Sequence, residues 1–305
     1  MTEQVKDIIV YILSYKKCQQ VIKCSKNIKT TLQHVQEYLP NNKVKVTQGD
    51  ELITADWPKH KHYKIWATHL SILLYHAQKH PKSHALVLED DVVFVKTTGH
   101  VNKVLRKIIN QKKDWMFVNI GAIPLGFMVP IVGTPFSLSQ FPVLAHSIVY
   151  NKKYVDFFSR QVFCRPMYGE GFLAIPFKYR MICTIPLTTQ SRPPAALGNF
   201  HKIPVPRFQQ YHYSMIYIIQ SVHVLLVTLF LLMILTAFLK RYKASAILLA
   251  VFVVMCILVY SIPKISLKRP FASKPLYKER YRIYSSLIKK YTKSELVKAF
   301  TGFTV

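Results

Sequence analysis

Two long runs without a charged residue constrain this chain more than any other feature. Met215 to Leu239 is one run of about 25 residues, and Ala244 to Ile262 is a second of about 19. The hydrocarbon core of a bilayer takes about 20 residues of helix, so each run has spanning length. Only Lys240-Arg241-Tyr242-Lys243 separates them. So short a connection forces an antiparallel hairpin with both ends on one side. A pair of buried helices in a soluble domain is the alternative, but uncharged runs of this length are rare in soluble cores. Gln220 and His223, near the start of the first run, fit placement at the membrane interface.

Charge points to the same surroundings. The chain of 305 residues carries 42 Lys and Arg against 14 Asp and Glu, a net charge of +28. Nucleic acid, anionic lipid and phosphate-bearing substrates all attract such a chain. Basic residues crowd the tail from Lys264 to Lys298, opposed only by Glu279 and Glu295, with Tyr277, Tyr281 and Tyr284 interleaved. That pattern suits a segment lying on anionic head groups. Nucleic acid would use the same charges. No nucleic-acid-binding motif accompanies them, so lipid is the simpler partner. The positive-inside tendency places the tail and the N-terminal domain on the cytoplasmic side of an integral membrane protein. The basic turn at 240–243 argues the other way, and a re-entrant hairpin would remove the conflict. The expected organisation is therefore an N-terminal domain over 1–212, a membrane hairpin over 213–263 and a basic surface tail over 264–305.

The five cysteines (Cys18, Cys24, Cys164, Cys183 and Cys256) form no CxxC pair and no metal-ligand spacing. They read as free thiols of a reducing compartment. The apolar run Ile8 to Leu13 is short for a signal-peptide core and reads as a first buried strand.

The N-terminal domain alternates strand and helix patterns. Strands are expected at Asp7–Tyr15, Lys43–Thr47, Ala85–Leu88, Trp115–Ile120, Pro142–Tyr150 and Met181–Pro186. Helices are expected at Asn27–Tyr38, Tyr63–Lys79, Val101–Asn110 and Lys152–Val162. Such alternation predicts an α/β domain with a mostly parallel central sheet. In open α/β sheets ligands bind at the carboxyl ends of strands. The strand Ala85–Leu88 runs directly into Glu89-Asp90-Asp91. Three adjacent carboxylates repel one another, and a hard divalent cation such as Mg²⁺ or Mn²⁺ would relieve that repulsion while bridging to a substrate phosphate. Strand alternation would send Glu89 and Asp91 to one side and Asp90 to the other. A solvated acidic turn is the plainer alternative. Against it, the whole stretch from Val92 to Ile262 holds only Asp114, Asp156 and Glu170 as further acids.

Several segments, in order, resemble the lipopolysaccharide-type glycosyltransferases of family 25. They are Lys64 to Leu73 with its Thr68-His69-Leu70 element, Ala85 to Phe94 with Leu88-Glu89-Asp90-Asp91-Val92, and Asp114 to Gly121. Ala145 to Tyr150 and Ile185 to Gln190 follow, so the resemblance covers roughly residues 7–195. Thr68 stands where the family has Ser, and the opening strand with Ser14 and Tyr15 matches loosely. The resemblance implies a GT-A-like fold, a nucleotide-diphosphate sugar as donor, Mn²⁺ or Mg²⁺ as cofactor, and inverting transfer of a sugar, often galactose. It makes Asp91 the leading metal ligand and catalytic acid-motif residue, with Glu89 as second ligand. It places Asp90, Ser14, Thr68, His69 and Gln190 around the donor. Glu170, in Pro166-Met-Tyr-Gly-Glu170, takes the place of the general base for the acceptor hydroxyl, as Glu rather than Asp and in a shifted register. His146 falls in another matching element, where a packed or substrate-contacting histidine is expected. With the hairpin, the implied acceptor is lipid-linked or a membrane-associated glycan or protein. The competing expectation is a catalytically degenerate relative acting as a membrane scaffold.

Overall fold

The structure is a computed structural model that describes residues 5, 7–14, 31–48, 69, 72–143, 146–155, 177–190 and 205–268. The first strand, β1 (Ile8–Ser14), is followed by a helix α1 over 31–38, β2 (Lys43–Gln48) and a helix α2 over 72–79. Next come β3 (His84–Glu89), β4 (Val92–Phe94), α3 (Thr98–Ile109) and β5 (Phe117–Asn119). A β-hairpin, β6 (Ile123–Pro130) and β7 (Phe136–Val143), precedes β8 (Ser147–Tyr150), β9 (Arg180–Cys183) and β10 (Thr188–Gln190). Two long helices close the described chain, α4 (Val205–Phe238) and α5 (Tyr242–Lys268).

Eight strands form one sheet in the order β2-β1-β3-β8-β5-β9-β7-β6, and β10 pairs with β4 in a small second sheet. The fold is mixed α/β. β1, β2 and β3 are mutually parallel, as are β5 and β9, while β8 and β7 run opposite to their neighbours. The buried strands explain themselves by composition. β1 and β3 are nearly continuous apolar runs, as a parallel strand covered on both faces requires. Val10, Ile12, Leu86, Leu88, Val118 and Val149 form one core cluster with Val101, Val104, Leu105 and Ile108 of α3. The apolar positions of α3 recur at three- and four-residue spacing, and Thr97 caps it by accepting from the His100 amide.

Three expectations about elements need correction. The run Pro142–Tyr150 is not one strand. It holds the end of β7 and the whole of β8, which pair with different partners. Residues 127–139, to which the sequence pattern assigns no element, lie in the hairpin of β6 and β7, whose register shifts between Leu125 and Met128. The first apolar helix starts ten residues before the uncharged run, at Val205.

α4 and α5 pack against each other as an antiparallel hairpin, and both also pack against β6. The Ser245 hydroxyl donates to the Met233 carbonyl across it (3.2 Å). α4 ends in a Schellman-type cap: the Arg241 amide bonds the Thr236 carbonyl, the Lys240 amide bonds Ala237, and Lys240 takes the left-handed conformation (φ 56°). Among the described residues no helix is long and apolar enough to cross a membrane. The hairpin nevertheless exposes many apolar side chains, including Val224, Val227, Leu231, Phe238, Ile247, Val254 and Ile257. Cys183, buried in the core, and Cys256 are free thiols, as expected; the tail beyond Lys268 lies outside the described residues.

Candidate functional site

β1 and β3 are adjacent in the sheet, yet the chain first crosses from β1 outward to β2 and only then returns to β3. The crossover directions therefore reverse between β1 and β3, which opens a crevice at their carboxyl ends. Ser14 ends β1 and Glu89 ends β3, with Leu13 opposite Glu89 in the register. The acidic triplet thus stands at the topological switch point of the sheet.

The triplet does not continue the strand's alternation. Asp90 and Asp91 form a turn, and both are buried (5% and 3% exposed), whereas Glu89 is half-buried. Asp90 and Asp91 leave the strand at this turn, so strand alternation alone does not set their directions relative to Glu89. A solvated turn is ruled out. Two contacts set the turn. The Thr31 hydroxyl of α1 lies within hydrogen-bond distance of the Asp90 and Val92 carbonyls (2.9 and 3.0 Å), and its single proton is shared between them. The Glu89 amide donates to the His146 carbonyl at the head of β8. Enclosing two carboxylates in this way is costly without compensating charge or donors.

Because β8 is antiparallel to β3, its first residue lies beside the end of β3: Ser147 pairs with Leu88. β5, on the other side of β8, ends at the same edge with Asn119. A second polar group gathers there. The Asn119 side-chain oxygen accepts from the Gly121 amide (3.0 Å), the Ser147 and Thr188 hydroxyls meet at 2.5 Å, and His146 is buried beside them. Gly121 is required by crowding. A Cβ there would lie 2.5 Å from the Thr188 hydroxyl and 2.6 Å from that of Ser147, and would strike the His146 ring as well. The loops are laced together by backbone bonds from Ile120 to Ser147, Leu187 to Ile120 and Val95 to Leu187. β10 then lies antiparallel on β4, which brings Gln190 opposite Val92, next to Asp91.

His76 anchors α2 against the sheet. The Tyr11 hydroxyl pairs with Nδ1 of His76 (2.9 Å), and Nε2 of His76 meets the Ser83 carbonyl (2.8 Å). A carbonyl only accepts, so Nε2 carries the proton and Tyr11 donates to Nδ1. This fixes α2 against the middle of β1, with its C-terminal end at the start of β3. His69 is itself helical and lies seven positions earlier in the chain. Its imidazole is fully buried, and burial pushes its pKa down to about 3. Neither ring nitrogen has a hydrogen-bond partner among the described residues. A neutral, buried histidine can donate one hydrogen bond and accept another.

Of the residues singled out from sequence, the structure brings Ser14, Glu89, Asp90, Asp91 and Gln190 to one edge, and it buries His69. Thr68 and Glu170 lie outside the described residues. Asn119, Gly121, Ser147 and Thr188 were missed; for Asn119 and Ser147 the signal available was their position at the ends of apolar strands. Asp114, one of the few other acids, is at the opposite edge, where Lys153 and Tyr154 hold it in a surface contact. Among the described residues no group of three or more His, Cys, Asp or Glu side chains forms a metal cluster. Two carboxylates with hard oxygen donors suffice for Mg²⁺ or Mn²⁺ when a substrate diphosphate and water complete the shell, so the donor set fits a metal held jointly with a ligand.

No family model and no curated protein matches the chain. Among solved structures, it is similar to a glycosyltransferase involved in the glycosylation of the major capsid of PBCV-1, at 14% identity and a TM-score of 0.34, over 51% of this chain and 64% of that one. A second similarity is to mannose-1-phosphate geranyltransferase from Thermus thermophilus, at 9% identity and a TM-score of 0.30, over 51% of this chain and 54% of that one. The matches span less than two-thirds of either relative, and at these scores neither establishes a common fold.

Proposed function

We propose that this chain is a divergent GT-A-like glycosyltransferase of the family 25 type, moving a sugar from a nucleotide-diphosphate donor to an acceptor at a membrane. The observation that carries this reading is the burial of Asp90 and Asp91 at the switch point between β1 and β3. A chain so poor in acids encloses two of them where α/β sheets bind phosphorylated ligands. Asp91 and Glu89 would hold a divalent cation, with Asp90 on the nucleotide side. When bound, the cation offsets the charge that develops on the departing diphosphate. The protein's own groups then orient the donor. His69, neutral, offers one proton and one lone pair, and the strand ends at Ser14 and Gln190 border the crevice. Glu170 is the proposed base for the acceptor hydroxyl.

The hairpin fits an acceptor that stays in the membrane. An apolar pair of helices with so many exposed apolar side chains suits lipid better than water. The basic tail adds attraction to anionic head groups.

The test is turnover of a panel of nucleotide-diphosphate sugars by the full chain in detergent with Mn²⁺, read as release of nucleoside diphosphate. Asp91→Asn is expected to lower the rate about 100-fold or more, the scale of losing one electrostatic anchor of a transition state. Full activity in that variant would sink the assignment. Nucleotide-sugar binding without any turnover would favour the scaffold reading instead.

A further inference from the structure

We propose that the carboxyl edge of the sheet faces the bilayer, with the β6–β7 turn entering the lipid interface beside the α4–α5 hairpin. This rests on the membrane reading of that hairpin and adds an orientation to it. Outside α4, α5 and the turn between them, four large apolar side chains are exposed among the described residues: Val129, Val132, Phe177 and Ile185. Scattered singly they would need no explanation, but three of them converge. β6 ends with Pro130 opposite Ser137, and β7 begins with Phe136 opposite Cys183 at the end of β9. The Thr184 amide donates to the Pro135 carbonyl (2.9 Å), and the Ser137 and Thr184 hydroxyls meet at 2.9 Å. Val129, Val132 and Ile185 therefore project from neighbouring strand ends on one edge. β9 is parallel to β5, which ends at the same edge as β3. The apolar tip and the acidic turn thus share an edge.

Two further observations name lipid as the occupant. From Trp115 to Asn151 the sequence contains no Asp, Glu, Lys or Arg, although at the chain's 18% charged content about seven would be expected. A water-facing β-hairpin has no need of that exclusion, and a hairpin beside hydrocarbon does. The surface is also continuous with the apolar helices, since both α4 and α5 pack against β6. At the tip, Val132 is 96% exposed and Gly133 turns the chain with φ 75° into open space. From β7 to β3 is four strand spacings, about 19 Å. An acceptor anchored in the bilayer would then meet the acidic turn from the lipid side, which selects amphiphiles with a short polar head over free sugars.

The full chain is reconstituted in phosphatidylcholine vesicles with and without acyl-brominated lipid. Tryptophan emission is compared for wild type, Val132→Trp, Ile185→Trp and Lys112→Trp, the last an exposed residue at the opposite edge. The emission added at positions 132 and 185 should be blue-shifted and quenched about twofold by bromine, with no quenching at 112. Equal responses at 132, 185 and 112 in protein that resists alkaline extraction would overturn the orientation and leave the membrane hairpin standing. Release of the protein by alkali would overturn both.

Discussion

At the level of single residues, the carboxyl edge is made of groups that tolerate little change. Gly121→Ala forces a methyl group into the Ser147–Thr188 hydroxyl pair and the His146 ring. Overpacking of this kind costs about 1–3 kcal/mol, and thermal unfolding followed by tryptophan fluorescence should show the lowered midpoint. Buried histidines set the acid sensitivity. Burial lowers the pKa of His69 to about 3 and those of His76 and His84 to about 4, from an ordinary 6.5. All three are neutral when folded, whereas the unfolded chain takes up protons as pH falls below about 6.5. Their contribution is complete above that pH and is lost as pH falls toward 4 and, for His69, 3. Removing the titration with His69→Met should recover about 2 kcal/mol of the stability lost between pH 7 and pH 5, measured by denaturant unfolding at both values. The acidic triplet was legible in the sequence because an apolar strand runs straight into it. Its inward turn was not, because that depends on Thr31, some sixty positions away, and nothing local announces the contact.

At the level of elements, α1 reaches the acidic turn through the Thr31 hydroxyl. Thr31→Val keeps the shape and removes the donor to Asp90 and Val92. It should cost about 1–3 kcal/mol and weaken Mn²⁺-dependent nucleotide binding, which calorimetry on the full chain would read. α3, by its helical period, and β3, by its continuous apolar run, were visible in the sequence. The β6–β7 hairpin was hidden by its prolines. Pro124 and Pro130 lie in β6, and such an edge strand with a register shift tolerates residues that cannot donate to a ladder. The split between β7 and β8 was hidden for the opposite reason. The apolar pattern runs on through both, and periodicity cannot say when a chain changes partners.

At the level of the whole molecule, the hairpin and the sheet meet at β6, so the apolar helices and the sheet that carries the acidic turn are packed together. The full chain in isolated membranes should resist alkaline carbonate and be released by detergent. Recovery in the alkaline supernatant would contradict the lipid assignment of α4 and α5. The carboxyl edge also draws on segments far apart in the chain: residues 89–91, 119–121, 146–147 and 188–190. No early portion of the polypeptide holds a finished site, because β8 must first slot between β3 and β5. Occupancy and folding are therefore thermodynamically linked across the sheet. A donor present at a hundred times its dissociation constant would add about 2.7 kcal/mol to the native state. Ligands for this edge can thus be sought by the melting temperatures they raise, before any product is known.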